Sequence, residues 1–323
     1  MNMKYFCPQN GLVIDISRAT LIGSGGEGRI FEPTNAPHLA AKILDRPTRS
    51  QRLKLEIMLA NPCSRGSRTS TPPPLAWPVG VLFANSPRGE FAGYLMPKLR
   101  HCRSLVDVYN PKTRRQKGPF FDYRYLMRAA QNLSSILAAA HAHGYVIGDL
   151  NESNFLVTNT ARVSAVDTDS WQIRDPASGR LFRSLVGKPD FTPPELQGKV
   201  FSGVDRNELH DRFGLGVLVF KLLQEGNHPF DGVYTLSGEP PTIQERIASG
   251  YFPFGNRGVP LTAKPSAPPF RMLNATLREL FIRCFETGHS DPRKRPSAQT
   301  WFSALSEAEA KLIVCAKNGT HWY

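Results

Sequence analysis

The run "HDRFGLGVLVFKLLQEG", residues 210–226, places the tightest constraint on what this chain can fold into. Its apolar residues fall on nearly every side of a helix, and such a helix is stable only where protein surrounds it. A body of further helices must exist to cover it, and the sequence supplies one. "FDYRYLMRAAQNLSSILAAAHAHG" reads as a long helix stopped at Gly144. "TIQERIASG" and "LNATLRELFIRCFETG" read as helices that each end in glycine, and "SAQTWFSALSEAEAKLIV" as a helix capped by Ser297.

Before residue 99 the character differs. "LVIDI", "TLIGSG", "GRIFEP", "LAAKIL", "VGVLFA" and "EFAGYLMPKL" are short strand-like runs punctuated by Gly and Pro. One helical stretch lies among them, "SQRLKLEIMLA" at 50–60, and the spacing of Leu53, Ile57 and Ala60 predicts its buried face. "NPCSRGSRTSTPPPLAWP" has no periodicity and reads as a loop. The expected class is α+β, with a strand-rich unit over residues 1–99 and a larger helical unit over 100–323.

Composition removes several alternatives. An apolar content of 41% and a charged content of 21% describe a folded globular chain, not a disordered one. The five cysteines are scattered, which reads as reduced thiols and not as a disulfide frame or a zinc site. The first residues lack the pattern of a signal peptide, and the longest apolar run is too short to span a bilayer. The expectation is a cytoplasmic protein without a membrane partner. The net charge of +13 permits an acidic partner. No aromatic residues are interleaved with the basic ones for base stacking, so a nucleic-acid partner is not expected.

Chemistry-bearing motifs follow in a definite order. "IGSGGEGRIF" fits G-x-G-x-x-G-x-[VI] through Gly23, Gly25, Gly28 and Ile30. Glycines let backbone N–H groups approach phosphate oxygens closely, although a glycine-rich hairpin turn reads the same way. "LAAKIL" carries Lys42, and Glu56 sits mid-helix beyond it, where the two can pair across the unit. "IGDLNESN" collects Asp149 and Asn154, and the strand-like runs after it end on Asp167, with Asp169 following Thr168. Hard oxygens of this kind suit a divalent cation held against phosphate.

In this order and spacing the chain resembles the eukaryotic-like Ser/Thr protein kinase superfamily. The resemblance runs from about residue 15 to residue 310. It takes in "TPPEL" with Glu195, the central helix with its leading Asp211, and "RCFETGHSDPRKRPSAQTW", whose Arg295 would pair with Glu195. More narrowly, "GDLNESNFLV" and "DTDSWQI" resemble bacterial kinases encoded beside a metal-dependent phosphatase and a von Willebrand-type domain protein.

That resemblance implies a bilobal protein-kinase-like fold with a small β-rich N-terminal lobe and a larger helical C-terminal lobe. It implies transfer of the γ-phosphoryl group of ATP, with Mg²⁺ or Mn²⁺, to Ser or Thr hydroxyls of a protein, and autophosphorylation. The von Willebrand-type protein would be a substrate and the phosphatase an antagonist. Gly23, Gly25, Gly28, Ile30 and Ala40 would line the nucleotide, as would Met96, Pro97 and Leu99, with Met96 as gatekeeper. Lys42 would bind phosphates while held by Glu56, and Asp149 would orient the substrate hydroxyl. Asn154 and Asp167 would hold the metal, with Asp169 as a further oxygen or else the cap of a turn. Autophosphorylation candidates are Ser170, Ser178, Ser184, Thr192 and the hydroxyls of 64–71.

The chain also departs from the family pattern. Ile147-Gly148 replaces the His-Arg before the catalytic Asp, Asn151 replaces a Lys, and Asp167-Thr168-Asp169 replaces Asp-Phe-Gly. Gly148 would leave a phosphate on the activation segment without its usual arginine. Trp171 could fill the space of the missing Phe. The other function such departures allow is a catalytically silent, nucleotide-binding scaffold.

Overall fold

The computed structural model describes residues 4–63, 75–118 and 121–322. The phosphorylation candidates at 64–71 lie outside the described residues, as does most of the loop expected around them. Packing divides the described residues into two compact units. One takes the chain up to Arg100 together with Ala165–Asp169 and Ile173–Phe182; the other takes His101–Ser164, Ser170–Gln172 and the chain from Arg183 onward. A division by chain order at residue 99 misses the two returning segments. They join the first unit through backbone contacts such as the bridge between Leu75 and Ala165.

The first unit is built on a seven-stranded sheet. Its strands are β1 (Lys4–Cys7), β2 (Leu12–Asp15), β3 (Thr20–Gly25), β4 (Gly28–Glu32), β5 (Leu39–Leu44), β6 (Gly80–Ala84) and β7 (Phe91–Pro97), in the order β2-β1-β6-β7-β5-β4-β3. Ile14, Ala41, Leu82 and Leu95 form part of its buried core. The β5–β7 register places Lys42 opposite Tyr94 and Ala40 opposite Met96.

One helix, α1 (Arg49–Ala60), completes this unit. Thr48 and Gln51 form its capping box, satisfying backbone N–H groups at its start. The buried face is Lys54, Leu55 and Met58, not the expected Leu53, Ile57 and Ala60. Apolar periodicity counts only apolar residues. It misses a lysine that is buried because acceptors await it.

The second unit opens with β8 (Cys102–Ser104), α2 (Leu105–Tyr109), α3 (Pro111–Lys117) and α4 (Tyr123–Ala142). β9 (Phe155–Thr158) lies between β8 and β10 (Val163–Ala165) in a small sheet. α4 ends as expected, with Gly144 in the left-handed region at φ +74°. α5 (Glu208–Leu223) is the helix that had to be covered, and Phe213 to Phe220 are all buried in it. Phe220 packs edge-on against Phe281 with ring centroids 5.0 Å apart. α6 (Ile243–Ser249) and α7 (Ala275–Ile282) follow, and a helix over Ala298–Ala310 is capped by Ser297. Among the described residues no helix is long and apolar enough to cross a membrane.

Candidate active site

In the first unit the β3–β4 hairpin carries the glycines. They are not equivalent. A Cβ on Gly28 would lie 2.2 Å from the Ile43 carbonyl oxygen, so glycine is required there for β4 to approach β5. A Cβ on Gly25 would meet nothing within 4 Å, and one on Gly23 would only touch the Ile30 side chain. Among these glycines the tip of the hairpin leaves the most open space beside the backbone. Met96 is buried on β7, while Pro97 and Leu99 are half-buried.

Lys42 projects from β5 into an acidic cluster. Its Nζ donates to Asp167 Oδ1 at 2.8 Å and to Asp169 at 3.0 Å (Oδ1) and 2.8 Å (Oδ2). Burial alone would lower the pKa of Lys42, but the two carboxylates outweigh it and raise it well above the usual lysine range. Tyr94 Oη donates to Asp169 Oδ1 at 2.7 Å. Lys54 Nζ, from α1, donates to the Asp169 carbonyl oxygen at 2.6 Å. Burial brings Lys54 down to about 8 even though the nearby carboxylates oppose the shift. Burial also disfavours the charged form of Asp169, yet Lys42 and Tyr94 hold its pKa below the ordinary value.

These contacts correct two expectations. Glu56 does not hold Lys42; it accepts from Arg52, one turn earlier on the outer face of α1, at 2.8 Å. The rotated face of the helix is the reason, because it turns Lys54 inward and Glu56 outward. Asp169 is neither an open metal ligand nor a simple turn cap. Both its side-chain oxygens accept from Lys42, one also from Tyr94, and its side chain is 10% exposed. Asp167 differs, with a side chain 37% exposed. It also sits in the left-handed region at φ +56°, a conformation costly for a non-glycine residue. Sparsely populated backbone geometry of this kind concentrates at functional sites. Thr168, in place of the Phe, is buried and donates to the Ala76 carbonyl at 2.9 Å.

In the second unit the loop after α4 is pinned from below. The Asp211 carboxylate, buried on α5, accepts from the Ile147 N–H at 2.7 Å and the Gly148 N–H at 2.9 Å. His141 Nε2 lies 3.0 Å from the same carboxylate. Asn154 Nδ2 donates to Asp149 Oδ2 at 3.0 Å and to the Asp149 carbonyl at 2.9 Å. The amide nitrogen of Asn154 is thus the end facing Asp149, and its carbonyl oxygen is the other end of the amide. Asp149 Oδ1 is buried and has no hydrogen-bond partner among the described residues. Asn151 is buried and accepts from the Ser153 N–H at 2.9 Å, so its role is to shape the loop. Ile147 is buried as apolar filler, and Trp171 is buried too.

Gly148 does not leave the neighbourhood without an arginine. A Cβ there would lie 2.5 Å from Arg206 Nη1 and 2.7 Å from Ser184 Oγ. Arg206 arrives from beyond the Glu195 turn and stacks over Phe201 at 3.7 Å from the ring centroid. All three guanidinium nitrogens are buried without a hydrogen-bond partner among the described residues, and burial lowers the Arg206 pKa. The usual arginine is missing at position 148, as expected, but Arg206 brings a guanidinium to the same place. Nothing in the sequence pairs residue 206 with residue 148, because only the fold brings them together. Farther along, Arg295 forks onto Glu195 with both bonds at 2.7 Å, as expected. No group of three or more His, Cys, Asp or Glu side chains able to cage a metal occurs among the described residues. A magnesium ion that keeps waters and phosphate oxygens needs only one or two protein ligands, and an exposed carboxylate such as Asp167 suits that chemistry.

The fold these units build is the two-lobed fold of a protein kinase domain. Over 96% of its length the chain superposes on 85% of the ROP18 kinase domain, solved in complex with AMP-PNP and sucrose, with a TM-score of 0.56 and 17% sequence identity. In sequence it is similar to the protein kinase YegI of Escherichia coli K12, 32% identical over 306 residues. The match to YegI of Escherichia coli O157:H7 has the same extent. It covers 94% of this chain and 46% of YegI, so the chain spans about half the length of these relatives. A shorter stretch of 93 residues, 28% of this chain and 22% of the relative, is 36% identical to the serine/threonine-protein kinase GRIK1 of Arabidopsis thaliana. No protein-family model matches the chain.

Proposed function

We propose that this chain is an ATP-dependent protein kinase domain that transfers the γ-phosphoryl group to Ser or Thr hydroxyls. The observation that carries the reading is Asp149 Oδ1, a buried carboxylate oxygen without a partner in a loop whose other groups are tied down. Leaving such an oxygen without a hydrogen bond is costly. A hydroxyl proton supplies the missing partner. In this reading Asp149 accepts the substrate hydroxyl, which orients the hydroxyl oxygen for attack on phosphorus. Lys42 holds phosphate oxygens, and the open hairpin tip at Gly25 lets backbone N–H groups reach them. Asp167 and Asn154 supply oxygens to Mg²⁺ or Mn²⁺, which neutralises phosphate charge when bound. Chemistry of this type is chiefly positioning and electrostatics, and the saturated loop provides the positioning.

The substrate in this reading is a protein, with autophosphorylation on the chain's own exposed hydroxyls and a cytoplasmic setting. A von Willebrand-type domain protein is the candidate substrate and a metal-dependent phosphatase the candidate antagonist, both on resemblance alone. Incubation with γ-labelled ATP and Mg²⁺ or Mn²⁺ tests the reading, using wild type and Asp149→Ala. Transfer of label to Ser or Thr by wild type and its loss in the variant are expected. Equal labelling of both proteins, or none with wild type on itself and on a panel of protein substrates, rejects it. ATP binding without any transfer would turn the assignment to a silent scaffold.

A further inference from the structure

The first unit contains a buried charge cluster that the kinase reading does not by itself explain. Two ammonium groups, Lys42 and Lys54, meet two carboxylates, Asp167 and Asp169, so the formal charges cancel. The members are unequal. Asp169 gives both side-chain oxygens to Lys42 and its carbonyl to Lys54, and it is tied to β7 through Tyr94. Lys42 and Asp169 have side chains only 7% and 10% exposed. Asp167 accepts from Lys42 through Oδ1 and is the more open to solvent. Meanwhile the acidic residue of α1, Glu56, is on the outer face with Arg52.

We propose that Asp169 is the positioning residue that holds Lys42 at the nucleotide phosphates, and that α1 contributes Lys54 to this cluster in place of a carboxylate. The proposal rests on the reading of the chain as an ATP-using kinase. Asp169 fixes the ammonium from two directions and is itself fixed by Tyr94, so Lys42 keeps its place without help from the helix. Asp167, being exposed, is the carboxylate that can turn to a cation while Asp169 stays with Lys42. Asp169 therefore serves the lysine and leaves metal binding to Asp167. The helix docks through the hydrogen bond that Lys54 donates to the Asp169 carbonyl oxygen, so the link from α1 to the lysine runs through Asp169. Removing one member of a buried pair leaves the other uncompensated, whereas removing both does not.

Two measurements separate this proposal from the kinase reading. The first uses the nucleotide-free protein. Equilibrium urea unfolding of wild type, Lys42→Met, Asp169→Asn and the double variant forms a thermodynamic cycle, with Lys42→Met and Glu56→Gln as the parallel one. The Asp169 cycle should show coupling of about tenfold or more in the unfolding constant, and the Glu56 cycle less than about twofold. Coupling in the Glu56 cycle, or its absence in the Asp169 cycle, overturns the proposal. Should Asp169→Asn fail to fold, recovery of folded protein on adding Lys42→Met upholds it, and failure to recover overturns it. The second measurement is kinetic. Asp169→Asn should lower kcat/KM for ATP at least about tenfold, while Glu56→Gln stays within about twofold of wild type. A drop with Glu56→Gln equal to that with Asp169→Asn overturns the proposal. An inactive wild type whose Asp169 cycle is coupled would reject the kinase reading while leaving the Lys42–Asp169 pairing in place.

Discussion

Replacing Gly148 with alanine separates two costs that the structure makes distinct. The backbone at Gly148 has φ +74°, which an L-residue adopts at a cost of about 1–2 kcal/mol. The new Cβ would also lie 2.5 Å from Arg206 Nη1 and 2.7 Å from the Cβ and Oγ of Ser184. Arg206 and Ser184 are both buried, so neither can swing into solvent to make room. Overpacking of this kind costs about 1–3 kcal/mol. Together the two give roughly 2–5 kcal/mol, a large share of a typical domain's stability. Gly144, at the same φ +74° but with nothing within 4 Å of a Cβ, is the control for the backbone cost alone. Equilibrium urea unfolding should show Gly148→Ala to be less stable than Gly144→Ala by about 1–3 kcal/mol with the m-value unchanged. Gly148→Arg, which writes the family's arginine back into the loop, should be worse still, and adding Arg206→Ala should recover part of the loss. Equal destabilisation by Gly148→Ala and Gly144→Ala would refute the claim that Arg206 occupies this space.

Other consequences are equally direct. Breaking the Glu195–Arg295 fork with Glu195→Gln leaves Arg295, whose side chain is fully buried, uncompensated; it should cost about 3–5 kcal/mol in chemical denaturation. Burial opposes ionisation of Glu195, but the Arg295 guanidinium holds its pKa below the usual 4.5. Its stabilisation is therefore complete above pH 4.5 and is lost as pH falls through the lower folded value. In Glu195→Gln the acid limb of a stability-against-pH curve should lose that contribution; an unchanged limb would argue against the pair. For the nucleotide, calorimetric titration of ATP with Mg²⁺ or Mn²⁺ should show binding that weakens at least about tenfold in Lys42→Ala and Asp167→Ala. Unchanged affinity in both would remove these residues from the site.

Much of the second unit was determined by local sequence. Gly144, Gly250 and Ser297 end or begin helices through their own backbone and side-chain preferences, which need no distant partner. The apolar circumference of α5 demanded burial whatever surrounded it. The places of Asp149, Asn154 and Asp167 on one loop and a short strand pair follow from their spacing along the chain. Apart from the Glu195–Arg295 fork, the partners of the charged groups were not legible. Lys42 could have paired with Glu56 or with Asp169 on sequence alone, and the face that α1 buries decided the matter. Hydrophobic periodicity is blind to a lysine buried for its hydrogen bond, so Lys54 pointed the pattern at the wrong face. Tyr94 entered the cluster through the β5–β7 register, and Arg206 reached Gly148 through the path of the chain beyond Glu195. Ion pairing depends on which distant atoms meet away from water, and that is a property of tertiary structure and not of spacing along the chain.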